Sequence, residues 1–297
     1  MNDQAQNLRN LVYQKQYAST YNMNNYANRN AKCHIVAITS GKGGVGKTNL
    51  TVNLAIAMAQ RGKRVLIIDA DLGMANVDVI IGSTSPYSLL HLVEDNVNLE
   101  DVISTGPSGI KYLSGGSGIE KLANLEMPEF VKITQKLAHC DDLADIVLID
   151  TGAGLSKNVL NFLLSADEVI LITTPEPTAM TDAYAMMKAY SLYAEDPCMR
   201  LVVNRLFEAG ESEDVFLKLI KTAERFLKLQ VTPLGEIYED RNMVKAVKAQ
   251  MPLMIMYPNT IAARGIRTLA DNLLNGGYST VSKGLKGFLE KFLIFLR

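Results

Sequence analysis

Ile35-Val36-Ala37-Ile38-Thr39-Ser40-Gly41-Lys42-Gly43-Gly44-Val45-Gly46-Lys47-Thr48 decides the fold of this chain. The apolar run Ile35–Ile38 is the kind of segment that a parallel sheet buries on both faces. A helical pattern opens at Lys47. Strand, glycine-rich loop and helix, in that order, make a phosphate-binding loop. The glycines let successive N–H groups turn inward without Cβ clashes, and the helix N-terminus adds a positive dipole end. Gly43, Gly44, Val45, Gly46, Lys47, Thr48 and Asn49 are therefore the candidate nucleotide-binding residues here. Lys47 is placed to reach the β- and γ-phosphates, and Thr48 to hold Mg²⁺. A second lysine, Lys42, stands near the start of the loop, where an ordinary loop of this kind has no fixed residue.

Outward from this loop, strands alternate with helices. Apolar runs predict strands over Ile35–Thr39, Val65–Asp69, Lys111–Leu113, Ile146–Asp150, Val169–Thr173, Leu201–Asn204 and Leu234–Tyr238. Periodicity predicts helices over Lys47–Gln60, Pro128–His139, Lys157–Ser165, Thr181–Ala194, Asp214–Lys228 and Ile261–Leu274. Such alternation implies an α/β fold with a doubly wound, mainly parallel sheet. Ligands of such sheets bind at the carboxyl ends of the strands. The second strand ends in Asp69-Ala70-Asp71. Carboxylates beside a phosphate loop suit metal binding and the orientation of an attacking water. A solvated aspartate-rich turn is the alternative. Asp150, ending the run Ile146–Ile149 and followed by Thr151-Gly152-Ala153-Gly154, suits a carboxylate that meets Mg²⁺ through a water.

The chain has 297 residues, 48% of them hydrophobic, which is enough for one large domain with short appendages. A formal net charge of −1 gives no global attraction to nucleic acid, so no nucleic-acid partner is expected. The three cysteines, Cys33, Cys140 and Cys198, are scattered and form no Cys-x-x-Cys pair. The polar first 30 residues carry no secretory h-region, and no run reaches the ~18 apolar residues of a membrane span. The expected location is the cytoplasm, with the inner face of the cell membrane reached only peripherally.

Four segments in this order resemble the MinD/ParA group of deviant Walker A ATPases: Lys42–Thr48, Asp69–Asn76, Asp150–Gly154 and Thr174-Pro175-Glu176-Pro177-Thr178 with Thr181-Asp182-Ala183-Tyr184. The resemblance spans roughly residues 33 to 275. It implies an ATP- and Mg²⁺-dependent hydrolase, slow and activated by dimerisation. Lys42 matches the lysine that reaches across the dimer to the partner's nucleotide. Asp71 matches the switch I aspartate that positions the hydrolytic water. Thr48 and, through water, Asp150 match the metal contacts, with Asp69 a further metal candidate. Asn204 and Arg205 match the segment that recognises adenine, and Glu239 falls in the second base-contacting run. Tyr238 stands where members of the group often carry proline, a departure at that contact.

The two ends differ from this core. At helical spacing Leu285, Phe288, Leu289, Phe292, Leu293 and Leu296 share one face, with Lys286 and Lys291 largely on the other. Bulky apolar residues opposite lysines suit the surface of an anionic membrane. A final helix packed on the domain is the alternative. At the other end, Asp3-Gln4-Ala5-Gln6-Asn7-Leu8-Arg9 resembles the N-terminal element of the FlhG family, MinD-like regulators of flagellar number and placement. That resemblance implies that Asp3, Gln4, Ala5, Leu8 and Arg9 stimulate FlhF, an SRP-type GTPase. It also implies contact with flagellar switch-complex proteins. The expected organisation is a partner-activating helix over 1–18, a linker over 19–32, an ATPase domain over 33–278 and an amphipathic helix over 279–297. A cell-division or chromosome-partitioning ATPase shares this fold and chemistry. An iron–sulfur carrier of the nitrogenase-iron-protein type is the third reading, and it needs cysteines after the switch segments.

Overall fold

The computed structural model describes residues 33–71, 76–115, 127–195, 198–276 and 282–296. The expected first helix with Asp3, Gln4, Ala5, Leu8 and Arg9, and the linker 19–32, lie outside the described residues.

β1 (His34–Ser40) is buried along its whole length. It lies between β5 (Ile146–Ala153) and β6 (Glu168–Thr173), parallel to both. β2 (Val65–Ala70) pairs with the other side of β5 and with β4 (Lys111–Leu113), again in parallel. β7 (Cys198–Leu206) and β8 (Gln230–Tyr238) extend the sheet beyond β6. A two-residue antiparallel strand, β3 (Ser104–Thr105), closes the opposite edge. The spatial order is β3-β4-β2-β5-β1-β6-β7-β8. The mainly parallel doubly wound sheet read from the sequence is therefore the observed one. β3 escaped that reading because two polar residues carry no apolar run. β8 begins four residues earlier than expected, and contains Pro233. As the last strand it needs no outward ladder bond, so a proline is tolerated there.

Helices cover both faces. α1 (Lys47–Ala59) is buried almost all round between the sheet and neighbouring helices. α2 (Asn76–Ile81), α3 (Leu99–Val102), α4 (Met127–Ala138) and α5 (Cys140–Leu143) follow along the chain. α6 (Lys157–Ser165) comes after β5, α7 (Pro177–Ser191) after β6 and α8 (Glu211–Leu227) after β7. α9 (Arg241–Lys248), α10 (Leu253–Met256) and α11 (Ile261–Asn275) come after β8. α7 starts at Pro177 rather than Thr181, since proline's fixed φ suits a first helical turn, where its missing N–H costs nothing. Among the described residues no helix is long and apolar enough to cross a membrane.

The last helix, α12 (Gly284–Leu296), is docked on the domain. Leu285, Phe288, Leu289 and Phe292 join the core formed by Ile35, Val147, Ile149, Leu137 and Phe162. Phe292 packs on Phe162 with ring centroids 4.5 Å apart, and Phe288 stacks beside both at 6.1 and 6.3 Å. The Asp141 carboxylate accepts the Leu285 N–H at 2.8 Å and the Cys33 thiol at 2.8 Å. The stripe expected from the sequence exists, but in the single chain protein covers it. Leu293 and Lys291 are half-buried and Ile294 is exposed. Burying four such side chains is worth roughly 6–12 kcal/mol as an upper bound. Any membrane role for this face competes with that packing.

Candidate nucleotide site

The parallel register puts the chemistry at one end of the sheet. β1, β2 and β5 all end there, and Asp69 pairs in register with Asp150. The loop after β1 turns through Gly44 at φ 82° and Gly46 at φ 97°, a left-handed region that suits glycine and strains residues with a Cβ. Gly41 faces a different constraint. A Cβ there would sit 2.2 Å from the backbone carbonyl of Asp182, so α7 crosses the loop only because this residue is glycine.

At the floor of the loop Lys47 Nζ donates to Asp150 Oδ1 at 3.0 Å, with both side chains buried. Thr51 Oγ1 donates to the same oxygen at 3.1 Å. Asp150 Oδ2 is buried and accepts nothing from the protein. A carboxylate oxygen left without a partner on a carboxylate held by Lys47 and Thr51 of α1 fits a hydrated divalent cation. Asp69 is fully buried, and both its oxygens are engaged. Oδ1 accepts the Asp71 amide and Oδ2 the Val77 amide, each at 3.1 Å. Burial first, and then the neighbouring Asp150, push the Asp69 carboxyl up to about 7. Asp71 is half-buried and accepts from Asn76 Nδ2 at 3.2 Å. Residues 72–75 lie outside the described residues.

Lys42 does not point into this site. Its ammonium donates to Glu176 Oε2 at 2.9 Å and to Thr178 Oγ1 at 3.1 Å, at the start of α7. The ammonium holds the Glu176 carboxyl below its ordinary range. In the sequence Glu176 and Thr178 belong to a motif, and nothing local marks them as partners of a lysine 134 and 136 residues away.

A cleft of about 340 Å³ opens beside the loop, lined by Gly46, Asn49, Asn204, Arg205, Tyr238 and Glu239 among others. That volume suits a nucleoside. Asn204 Nδ2 donates to Val45 O at 2.8 Å, tying the cleft to the phosphate loop. Arg205 holds a left-handed φ of 61° and lies 3.8 Å from Glu239. Strained backbone of this sort gathers at binding sites. The opposite wall comes from α9, through Met243, Val244 and Val247. That helix was not read from the sequence, though Met243 and Val247 stand at helical spacing behind Asp240, whose carboxylate caps the first turn at Asn242 N. Cys33 precedes β1, Cys140 opens α5 and Cys198 begins β7, so none stands at the carboxyl end of a strand beside the loop. That placement removes the iron–sulfur reading, which needs them beside the switch segments.

Residues 33–197 match the family described as AAA domain. The chain is 36% identical over 260 residues to the antiactivator FleN of Pseudomonas aeruginosa, covering 87% of this chain and 93% of that one. It is 31% identical over 305 residues to the flagellum site-determining protein YlxH of Helicobacter pylori, along the whole of both chains. Among solved structures, the Pyrococcus horikoshii septum site-determining protein MinD complexed with Mg-ADP matches at a TM-score of 0.64 and 26% identity, covering 82% of this chain and 98% of that one.

Proposed function

Because this chain belongs to the MinD/ParA family of P-loop ATPases, in the FlhG-like group with FleN and YlxH, we propose that it is an ATP-hydrolysing switch that sets flagellar number or placement. The observation that carries the chemistry is the buried Lys47–Asp150 pair with an open Asp150 Oδ2 at the floor of the loop. The observation that favours flagella over cell division is the likeness to YlxH over the entire chain, first 32 residues included.

ATP would enter with its base in the cleft between Asn204 and α9 and its phosphates on the backbone of Gly43–Thr48. Lys47 exchanges Asp150 for phosphate oxygens. The Thr48 hydroxyl and, through a water, Asp150 would hold Mg²⁺, which when bound neutralises charge on the phosphates. Asp71 orients the attacking water. Lys42, released from Glu176, serves the nucleotide of a second copy. The ATP-bound homodimer, carrying two C-terminal helices, would then bind an anionic membrane through paired weak contacts.

The exposed Lys42–Glu176 pair makes the resting contact testable. Glu176→Gln removes one charge and frees the lysine. The pair is exposed and weak, so the ATP-bound dimer should form at a modestly lower concentration. Sedimentation equilibrium with ATP and Mg²⁺ measures this; a weaker dimer would show that Glu176 belongs to the interface instead.

The partner reading is tested with a peptide of residues 1–20 added to purified FlhF. Stimulated GTP hydrolysis is the expected result, with Gln4→Ala reducing it. No stimulation by the peptide or by the whole chain would reject FlhF as the partner.

A further inference from the structure

The two neighbouring carboxylates at the site are engaged differently. Asp150 keeps a buried oxygen open, while Asp69 spends one oxygen on each end of the segment that follows it. The two amides bonded to Asp69 belong to Asp71 and Val77. Asn76, next to Val77, in turn donates to the Asp71 carboxylate. We propose that Asp69 is a positioning residue, which ties Asp71 to Val77 so that the Asp71 carboxylate faces the carboxyl end of β5, and that it is not a metal ligand. This rests on the reading of the site as an ATPase.

The physical argument is one of geometry. A carboxylate that accepts two backbone N–H groups holds both in fixed directions, and charge-assisted bonds of this kind are the strong ones. The chain between the two amides is short, so the pair of bonds fixes where Asp71 can point. Gly152 lies across from it: a Cβ there would come 3.8 Å from Asp71 Oδ1. The aspartate therefore faces the carboxyl end of β5, the strand that also carries Asp150. Full burial of Asp69 keeps water from replacing either amide.

The test uses the full chain. Asp69→Asn keeps the shape but turns an NH₂ toward one of the two amides, so one bond is lost. The expected result is a kcat lower by about tenfold or more, since a lost hydrogen bond to a charged group is the larger class of loss. The ATP KM and the Mg²⁺ concentration for half-maximal rate stay within about twofold, because no ligand has been removed. Thr48→Ala is the contrasting variant, expected to raise the Mg²⁺ requirement. Val77→Pro tests the same bond from the other side: it deletes the N–H in the first turn of α2, where no intrahelical bond is lost. It should reproduce the kcat loss with the Mg²⁺ requirement unchanged. Amide exchange without nucleotide should speed up at Asp71 or at Val77 in Asp69→Asn. A raised Mg²⁺ requirement in Asp69→Asn, cured by excess Mg²⁺, would overturn the proposal, as would wild-type turnover in Val77→Pro or unchanged exchange at both amides. The exchange measurement needs no ATP, so its failure is distinct from failure of the ATPase reading, in which the unmodified chain would release no phosphate.

Discussion

Asp71→Ala should bind ATP with near-normal affinity and hydrolyse it about 10²–10⁴-fold more slowly, the usual weight of a positioned acid–base group. The side chain is half-buried at the end of β2 and accepts from Asn76, so the fold should tolerate its loss. Lys47, the phosphate loop and the base cleft are untouched, which is why affinity is expected to survive. With hydrolysis blocked, ATP-bound dimers should accumulate. Phosphate release and light scattering with ATP and Mg²⁺ read the two effects together. Normal turnover would remove Asp71 from the chemistry. Slow turnover with single chains only would leave the dimer model without support.

Phe162→Ala should send the C-terminal helix to membranes without nucleotide. Phe162 is the domain's side of the aromatic cluster, packed at a tilt on Phe292 and stacked with Phe288. Its removal weakens the socket and leaves the apolar face of α12 whole. Phenylalanine-to-alanine changes in a core cost about 3–5 kcal/mol, and the share borne by docking favours an undocked helix. The expected results are a lower thermal midpoint, faster amide exchange over 284–296 and sedimentation with anionic vesicles in the absence of ATP. Phe292→Ala provides the contrast, since it removes the same ring contact together with part of the membrane face; it should loosen the helix without raising vesicle binding. Equal vesicle binding by both variants would show that the face does not exchange protein for lipid. Deleting 282–297 is a poorer test than the sequence suggests. It would bare Phe162 and its apolar neighbours and lower stability for a reason unrelated to membranes.

The difference between these two cases shows what was legible beforehand. The positions of Asp71, Asp150, Lys47 and Thr48, though not their roles, were readable because each stands at or beyond the end of an apolar run, and a parallel sheet collects strand ends on one side. Asn204 was readable for the same reason. Glu176 as the holder of Lys42 was not, because the contact joins residues distant in sequence at an exposed surface, where no pattern is imposed. The α9 wall of the cleft was missed because a helix of eight residues leaves little periodicity to count. Asp69 was read as a possible metal contact because composition supplies a carboxylate but not the direction of its oxygens.

The sequence by itself determined the phosphate loop, the order of strands and helices and the end of the sheet at which ligands gather. Those features follow from local rules: glycine's freedom at Gly44 and Gly46, burial on both faces of β1, and the handedness of parallel crossovers. Only the tertiary structure decided that Asp69 binds amides, that Lys42 rests on its own chain and that protein covers the apolar face of α12. Hydrophobic burial is proportional to area and has no direction, so an amphipathic stripe states that it will be covered without stating by what.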